Sequence, residues 1–324
     1  MNLSIYSILG SIIGIKINNI QIKQSSKNAA YCTFATTFIS SICLVYAFVT
    51  NDFSIKYVFN HSSLSMNPAY TWVAMYAGNE GSLLYIALII SLSILLVLKF
   101  KPKDMIESES HLIALMSGFL LFFISVMVFF ANPFDTFQAN IPSDGRGMNP
   151  LLAHPGMFSH PPLLMAGLAS ISIPFSLITS MIMTGTFRNN GLDFVRTTSL
   201  IVWCILGVGL LLGSWWAYTI LGWGGYWVWD PIENVGLMPW LVMTAFIHSI
   251  IVQRRRGMFR VWNVVLIFLA FVLAQFGMFI NRGGPVVSVH SFAASTLGYI
   301  FSVSYTHLRA HETVLDLVCR LLLE

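Results

Sequence analysis

Apolar residues run through the chain in long segments that are separated by short polar linkers. A helix needs about 20 residues to cross a bilayer, and suitable segments lie at 29–50, 82–98, 111–131, 163–184, 197–213, 237–253 and 261–280. A shorter run at 3–17 predicts a marginal first span, because it lacks the basic start and the exit site of a signal peptide. A further run begins near Ser291 and is interrupted. The pattern predicts an all-α, polytopic transmembrane helical bundle with about eight complete spans and a truncated one.

Basic residues are concentrated in alternate linkers. One set of linkers contains Lys16, Lys23, Lys27, Lys99, Lys101, Lys103, Arg188, Arg196, Arg254, Arg255, Arg256 and Arg260, and the other contains Lys56, Arg146 and Arg282. Because basic linkers stay on the cytoplasmic side, the linkers at 51–81, 132–162, 214–236 and 281–290 are predicted to lie outside.

Composition agrees with a membrane protein. Hydrophobic residues make up 56% of the 324 residues, charged residues make up 9%, and the mean hydropathy is +0.75. The net charge of +4 comes from the basic linkers and not from one basic face, so the predicted partner is the lipid bilayer and not nucleic acid. Cys32, Cys43 and Cys204 lie in apolar runs without a CxxC pair, which predicts neither a disulfide framework nor a redox dithiol.

The character of the chain changes abruptly after Ser302. Residues 303–313 have the sequence VSYTHLRAHET, and residues 317–324 have the sequence LVCRLLLE. These stretches resemble the in-frame translation of a sequencing adapter and its primer, so we expect residues 303–324 not to be native. A genuine amphipathic C-terminal helix is the alternative.

The external linker 214–236 is unusually rich in large rings. Trp215, Trp216, Trp223, Tyr226, Trp227 and Trp229 lie within it, and Trp240 lies just beyond it. An aromatic belt at the membrane interface accounts for scattered rings such as Trp72, Trp203 and Trp262, but not for this density. Gly224 and Gly225 add backbone freedom and allow close approach. The segment therefore predicts a platform for a large, flat, apolar ligand.

Two carboxylates follow the rings. Asp230 precedes Pro231, which favours a new helix that Asp230 or Asn234 caps, with Glu233 near the positive end of its dipole. We therefore interpret these carboxylates as a helix start and not as an acid and base pair.

Two histidines are predicted at the level of the rings. His160 lies in SHPPLL and His290 lies in VSVHSF, each at the outer start of a span. Two neutral imidazoles can coordinate a haem iron from opposite faces. Each histidine alone is better explained as a loop residue bonded to backbone, but their shared level with the rings favours a ligand pair.

His248 lies inside a predicted span, about 16 Å from its start at about 1.5 Å per residue, and is expected to be buried in the middle of the membrane. An ionisable residue within a membrane is costly and is a functional candidate. An interhelical hydrogen bond near Thr244 explains it equally well.

The motifs resemble a known family. WGGYWVWDPIENVGLMPWL at 223–241 resembles the tryptophan-rich signature of haem-handling membrane proteins. NEGSLL at 79–84, GRGMNPLLAHPGMFSHPPLL at 145–164, AFIHSI at 245–250 and RGGPVVSVHSFA at 282–293 are similar to the haem lyase subunits of the bacterial and mitochondrial cytochrome c maturation system. The resemblance covers essentially all of 1–302, which would be the N-terminal part of a protein about twice as long. Departures are Asn79, where many members have His, and His154, where they often have Asp or Asn.

The resemblance implies a set of haem-binding residues. His160 and His290 would ligate an external haem in transit, beside Trp223, Gly224, Gly225, Trp227, Trp229 and Asp230. His248 would ligate a structural b-type haem whose second ligand lies in the missing part of the chain. Arg146 and Arg282, the external arginines, are candidates for binding the haem propionates.

The implied reaction is thioether formation between haem vinyl groups and the CxxCH cysteines of apocytochrome c. No catalytic residue is assigned, because the chain offers no evident general base, and its contribution is positioning. The expected partners are apocytochrome c, a haem chaperone and other maturation subunits. The expected location is the bacterial or mitochondrial inner membrane, with the haem site on the periplasmic or intermembrane side. As a fragment, the chain is expected to be inactive and not to hold the b-type haem stably.

Two alternatives remain. A haem transporter or shuttle without bond formation would use the same tryptophan platform, and only the histidine motifs favour the lyase. An ion or quinone transporter would need acidic or lysine residues within the spans, which have almost none apart from His248.

Overall fold

The computed structural model describes residues 1–220, 222, 224–283 and 297–310, which form a helical bundle. Its helices are α1 (Asn2–Lys16), α2 (Ile20–Val49), α3 (Lys56–His61), α4 (Pro68–Thr71), α5 (Asn79–Phe100), α6 (Glu109–Phe130), α7 (His160–Ser170), α8 (Ser172–Thr184), α9 (Asn189–Ile220), α10 (Pro231–Arg256), α11 (Arg260–Gly283) and α12 (Leu297–Ala310). Within this part of the chain, seven helical segments are long and apolar enough to span a bilayer, and α1 is a shorter apolar helix. The predicted all-α polytopic bundle is confirmed, and the chain is an integral membrane protein.

The first helix turns its small residues inward. Ser7, Gly10 and Ser11 are buried against α2 and α6, whereas Leu9 and Ile12 are half exposed. Hydroxyl hydrogen bonds, including Ser7 to Ser117 at 3.2 Å, join the helices. Because lipid tails are as apolar as leucine, membrane helices associate through close packing of small residues, and α1 follows this rule.

The predicted span at 163–184 is divided into α7 and α8. The break lies at Ile171, three residues before Pro174. Proline has no N–H to donate to the carbonyl four residues earlier, so it weakens the helix at this point.

Helix α9 is longer than the predicted span at 197–213, since it continues to Ile220. Residues 214–220 contain neither glycine nor proline, so local sequence does not stop the helix. Trp215 and Trp216 therefore lie on a helix, and the irregular part of the tryptophan-rich linker lies only between α9 and α10.

Helix α10 begins as predicted. Asp230 is its N-cap and accepts from the N–H of Ile232 at 2.9 Å, and Glu233 accepts from the N–H of Asp230 at 3.3 Å, which completes a capping box. Pro231 occupies the first helical position, where its missing N–H is not needed.

The two ends of the bundle differ in charge. At one end, Glu109 joins Lys27 at 2.9 Å and Lys101 at 2.5 Å, and the arginines of 254–256 end α10. The other end contains His160, the start of α10 and a layer built from 51–78 and 132–158, in which Lys56 N–H donates to the carbonyl of Asp135.

Helix α12 continues across residue 303, and the expectation that residues 303–324 are not native stays a prediction.

Candidate functional site

His160 is held where α7 crosses α9. It is the first residue of α7, and its Nδ1 donates to the carbonyl of Gly209 on α9 at 2.8 Å. The two helices are in backbone contact, because a Cβ atom at Gly209 would lie 2.8 Å from the Leu164 nitrogen, and one at Gly167 would lie 2.7 Å from the Leu206 Cα atom. Since the carbonyl can only accept, Nδ1 carries the proton and the lone pair of the neutral ring is on Nε2, as in a metal-ligating histidine.

Two residues of α9 surround the His160 ring. A Cβ atom at Gly213 would lie 2.5 Å from its Cε1 atom, so this glycine makes the space that the imidazole occupies. The Trp216 indole meets the imidazole edge to face, with ring centroids 5.7 Å apart. The half-buried imidazole is therefore fixed in position by one helix face.

His154 packs on Trp216 and on the neighbouring Trp215, a contact that the sequence did not indicate. Its ring stacks on Trp216 at 5.6 Å and lies 5.0 Å from Trp215. Its Nδ1 accepts from the N–H of Gly156 at 3.0 Å, and its Nε2 is 3.1 Å from the Thr219 hydroxyl. Burial lowers the pKa of His154, so the neutral ring is favoured in this position.

The segment before α10 displays its rings in a fixed conformation. Trp229 has a positive φ of 61° and is 70% exposed. Its carbonyl accepts from the Asn234 amide at 2.9 Å, and Glu233 accepts from the N–H groups of Val228 and Asp230. A left-handed conformation is rare for a bulky residue and indicates strain that neighbouring contacts maintain. The capping box therefore holds an exposed indole at the end of the bundle opposite the arginines of 254–256.

Trp227 packs edge to face against Trp229, with ring centroids 6.3 Å apart. Its Nε1 atom is buried and has no hydrogen-bond acceptor in the part of the chain that the structure describes. A buried donor without an acceptor is costly, so Trp227 is suited to a ligand that carries an acceptor oxygen.

An apolar groove of about 390 Å³ lies between α9 and α10. Trp203 and Trp240 stack in it at 5.1 Å, and the Trp203 indole donates to Thr244 at 2.7 Å. The groove is lined by Trp203, Cys204, Gly207, Val208, Leu210, Leu211, Ser214, Trp227, Leu237 and Trp240. Trp203, which the sequence assigned to a scattered belt, belongs to this groove.

His248 lies on the outer surface of the bundle and not in its interior. Its ring is exposed, and its Nδ1 donates to the Thr244 carbonyl at 2.8 Å. It follows Trp240 and Thr244 at intervals of four residues, so the three share one face of α10. The sequence predicted that His248 is buried in the middle of the membrane, and this expected burial is wrong because the structure exposes the ring.

The two arginines predicted to bind propionates lie in different settings. Arg146 is exposed, and its guanidinium is 5.3 Å from the Phe59 ring centroid. Arg282 is 2% exposed and donates to Asn79 Oδ1 at 3.0 Å and to the Ser82 hydroxyl at 2.9 Å. Arg282 thus links the end of α11 to the start of α5, a contact that explains why Asn79 matters structurally.

His61 packs inside the layer that is built from 51–78 and 132–158. Its Nδ1 donates to the Tyr57 carbonyl at 3.0 Å, and a Cβ atom at Gly78 would lie 2.5 Å from its Nε2. Burial lowers the pKa of His61 and raises that of Tyr57. Both groups are therefore neutral parts of a packed layer.

Some predicted site residues cannot be compared with the structure. Trp223 and His290 lie outside the described residues. Across 1–220, 222, 224–283 and 297–310, histidine, cysteine, aspartate and glutamate form no group of three that could hold a metal ion. A haem iron needs only two axial ligands, so the predicted pair stays a prediction.

The family model described as cytochrome C assembly protein matches residues 76–283. The chain belongs to the cytochrome c assembly protein family. The matched residues include His160, His248 and the segment from α9 to α10, so the site described above lies within the family's shared region.

Family members with known names are similar over most of this chain. Cytochrome c-type biogenesis protein CcmF of Haemophilus influenzae is 37% identical over 296 residues, which are 90% of this chain and 45% of that protein. CcmF of Escherichia coli K12 is 36% identical over 307 residues, which are 94% and 46%. The solved structure of cytochrome c heme lyase CcmF superposes with a TM-score of 0.82 at 28% identity, covering 98% of this chain and 49% of that one. The chain spans about half the length of these relatives.

Proposed function

We propose that this cytochrome c assembly family member takes part in cytochrome c maturation as the haem-holding part of a haem lyase. It would hold haem between His160 and His290 on an outer surface formed by Trp223, Trp227 and Trp229, here called the tryptophan surface. It would promote attachment of the haem vinyl groups to apocytochrome c. The names of the relatives support this proposal, since they are a cytochrome c-type biogenesis protein and a heme lyase.

The position of His160 is the observation that carries the proposal. The Gly209 carbonyl fixes its tautomer, and Gly213 and Trp216 fix its ring. A ligand histidine needs both features, because the second nitrogen must be deprotonated and aimed at the metal. His290 would supply the opposite ligand.

Two tryptophans of the segment before α10 fit a porphyrin. Trp229 offers an exposed indole face, and flat aromatic rings pack well against such faces. The buried Nε1 of Trp227 lacks an acceptor among the described residues, and a haem propionate would supply one. Trp223, Gly224, Gly225 and the Asp230 cap complete the proposed surface, and Arg146 and Arg282 stay predictions for the propionates.

The proposed reaction adds a cysteine thiol across a haem vinyl group. The sulfur–carbon bond forms at one vinyl carbon, the thiol proton goes to the other, and no net oxidation occurs. We assign no catalytic residue in this chain. Its task is to hold the porphyrin plane and the iron in one orientation, and such positioning lowers the barrier to an intermolecular reaction.

His248 is the proposed ligand of a b-type haem within the membrane. When bound, such a haem supplies electron transfer to the iron of the incoming haem. The other described histidines lie at helix ends or in loops, so we expect the second axial ligand from outside the described residues. The exposed ring of His248 fits this arrangement, because its partner must approach from beyond α10.

The proposed setting follows from the reaction. Apocytochrome c, a haem chaperone and other maturation subunits are the proposed partners. The proposed location is a bacterial or mitochondrial inner membrane, with the tryptophan surface on the periplasmic or intermembrane side. A haem shuttle that forms no bond is the second candidate, since the tryptophan surface serves it equally well.

Optical spectroscopy of the purified chain with added haem tests the ligand pair. We expect a Soret band in the wild type, and its loss or shift in a His160→Ala, His290→Ala double variant. His111→Ala, at the opposite end of the bundle, is the matched control and should leave the spectrum unchanged. An unchanged spectrum in the double variant would exclude the pair.

A second assay separates the lyase from the shuttle. Because the chain alone is expected to be inactive, the membranes would contain a version of the protein extended to the length of its relatives, together with the other maturation subunits. They would receive reduced haem and a CxxCH peptide, and mass spectrometry would detect thioether products. Thioethers that depend on His160 support the lyase. A normal haem spectrum without thioethers in the complete system favours the shuttle.

A further inference from the structure

A second cavity lies at the arginine-rich end of the bundle, far from the tryptophan surface. It has a volume of about 300 Å³ and lies among the ends of α8, α9, α10 and α11. Its wall is lined by Ile178, Phe187, Asn189, Leu192, Phe246, Ile250, Gln253, Arg254, Gly257, Arg260, Asn263 and Val264. One side is therefore apolar, and the other is polar and basic.

The polar side has a fixed, buried floor. Asn263 is 2% exposed and Gln253 is 9% exposed. The Asn263 amide donates to Gln253 Oε1 at 2.5 Å, and the Ser249 hydroxyl donates to Asn263 Oδ1. The Nε2 group of Gln253 makes no hydrogen bond within the described residues and is not among their buried polar atoms, so this donor is accessible from the cavity that Gln253 lines.

The mouth of the cavity carries net positive charge. Arg254 forms a bidentate ion pair with Asp193, at 2.9 Å and 3.0 Å, which neutralises its charge and fixes its position. Arg260 has no carboxylate within ion-pair distance among the described residues. An arginine fork is suited to bidentate binding of phosphate.

The N-terminal ends of two helices add to the positive charge at the mouth of the cavity. Asn189 begins α9 and Arg260 begins α11, and both residues line the cavity. The N-terminal end of a helix carries partial positive charge and favours anions. The C-terminal end of α10 also lies at the cavity. Three arginines in its last turn offset the partial negative charge of that helix end.

The surroundings place the cavity at the level of lipid head groups. Met258 and Phe259 are each 50% exposed, and Trp262 is 54% exposed, directly beside Arg255 and Arg256. Exposed aromatic and apolar residues next to arginines are typical of the membrane interface.

We propose that this cavity binds the phosphate group of an anionic phospholipid. Arg260 and the Gln253 amide would contact the phosphate, while Phe187, Leu192 and Val264 would contact the glycerol and the upper acyl chain. Basic pockets between membrane helices on the arginine-rich side are suited to such head groups. The apolar wall favours a lipid over a soluble phosphate, which would leave that wall in contact with water.

Native mass spectrometry of the full chain in detergent tests the proposal. Phosphatidylglycerol and phosphatidylcholine of equal chain length would be titrated separately, and we expect the anionic lipid to bind more tightly. Arg260→Gln should lower its affinity about fivefold, since one arginine near an anionic lipid contributes about 1 kcal/mol. Leu192→Trp should also lower it, because the larger ring fills the cavity without changing charge.

Arg256→Gln is the matched control, since it removes the same charge from the same stretch but does not line the cavity. It should leave the affinity unchanged. Equal losses in Arg260→Gln and Arg256→Gln would indicate general surface attraction and overturn the proposal. Equal binding of the two lipids by the wild type would overturn it too, whether or not a variant folds. Displacement of phosphatidylglycerol by equimolar inorganic phosphate would assign the cavity to soluble phosphate and reject the lipid.

Discussion

Helix α9 packs against its two neighbours in opposite ways. Toward α7 it presents Gly209 and Gly213, and the two backbones touch. Toward α10 it presents Trp203 and Gly207, and the contact leaves an apolar groove. One helix thus has a rigid face and an open face, and the proposed haem ligand His160, which belongs to α7, packs against the rigid one.

The difference shows how a membrane protein separates positioning from access. Glycines allow backbones to approach and to fix a side chain by a carbonyl hydrogen bond, as at His160. Large rings keep helices apart and leave space that lipid or an apolar ligand can fill. The position of His160 depends on the first kind of contact, and the groove beside Trp203 depends on the second.

The strongest test of this contrast is the same substitution on the two faces. At Gly209, alanine would place its Cβ atom 2.8 Å from the Leu164 nitrogen and 3.0 Å from its Cα atom. Because backbone must move, we expect Gly209→Ala to lower the free energy of unfolding by about 2–3 kcal/mol. Unfolding in detergent, followed by tryptophan fluorescence, measures this loss.

Gly207→Ala is the comparison variant on the open face. The three atoms nearest to its Cβ atom would all belong to the Trp240 indole, the closest being Nε1 at 2.7 Å, and the groove gives that ring room to move. We expect a loss of less than about 1 kcal/mol and a shift in tryptophan emission. Equal losses at Gly207 and Gly209 would remove the distinction between the faces.

Gly213→Ala tests whether the rigid face positions His160. The added Cβ atom would lie 2.5 Å from the His160 ring, so the ring must turn. We expect a loss of about 1–2 kcal/mol in the free energy of unfolding and a weaker or shifted Soret band with haem. Gly118→Ala is the control, since nothing lies within 4 Å of its Cβ position. A normal Soret band in Gly213→Ala would show that His160 tolerates displacement.

The sequence predicted the parts of this architecture that depend on local chemistry. Apolar segments of spanning length predicted the bundle, and Asp230 with Pro231 predicted the start of α10. His160 was correctly placed at the start of a span. These features follow from residue type and spacing alone.

Features that depend on tertiary contacts were missed. The exposure of His248, the stacking of His154 and the contact of Arg282 with Asn79 require knowledge of which helices are neighbours. The end of α9 was also placed seven residues too early, because a density of tryptophans was taken as a linker. The GLLLG sequence at 209–213 is a small-xxx-small motif that could have indicated the close contact with α7.

Glu233→Ala tests the start of α10, where the capping box holds Trp229. The variant loses the acceptor for the N–H groups of Val228 and Asp230. We expect a loss of about 1 kcal/mol and a change in tryptophan emission as Trp229 leaves its left-handed conformation. Glu107→Ala, whose ion pair with Arg188 is long and exposed at 3.7 Å, should change neither quantity. An unchanged emission spectrum in Glu233→Ala would mean that the cap does not hold the ring.

The smallest effect is expected from protonation of His154, which packs on the rigid side of α9. Burial lowers the pKa of His154, so the unfolded chain binds a proton at a higher pH than the folded chain does. The stability that neutral His154 contributes is therefore complete above about pH 6.5 and is lost as the pH falls through the lowered pKa. His154→Asn can still accept from the Gly156 N–H as an Asx turn but does not titrate. Melting temperatures measured between about pH 7.5 and pH 5 should thus fall less in His154→Asn than in the wild type, and parallel curves would assign the acid sensitivity to other groups.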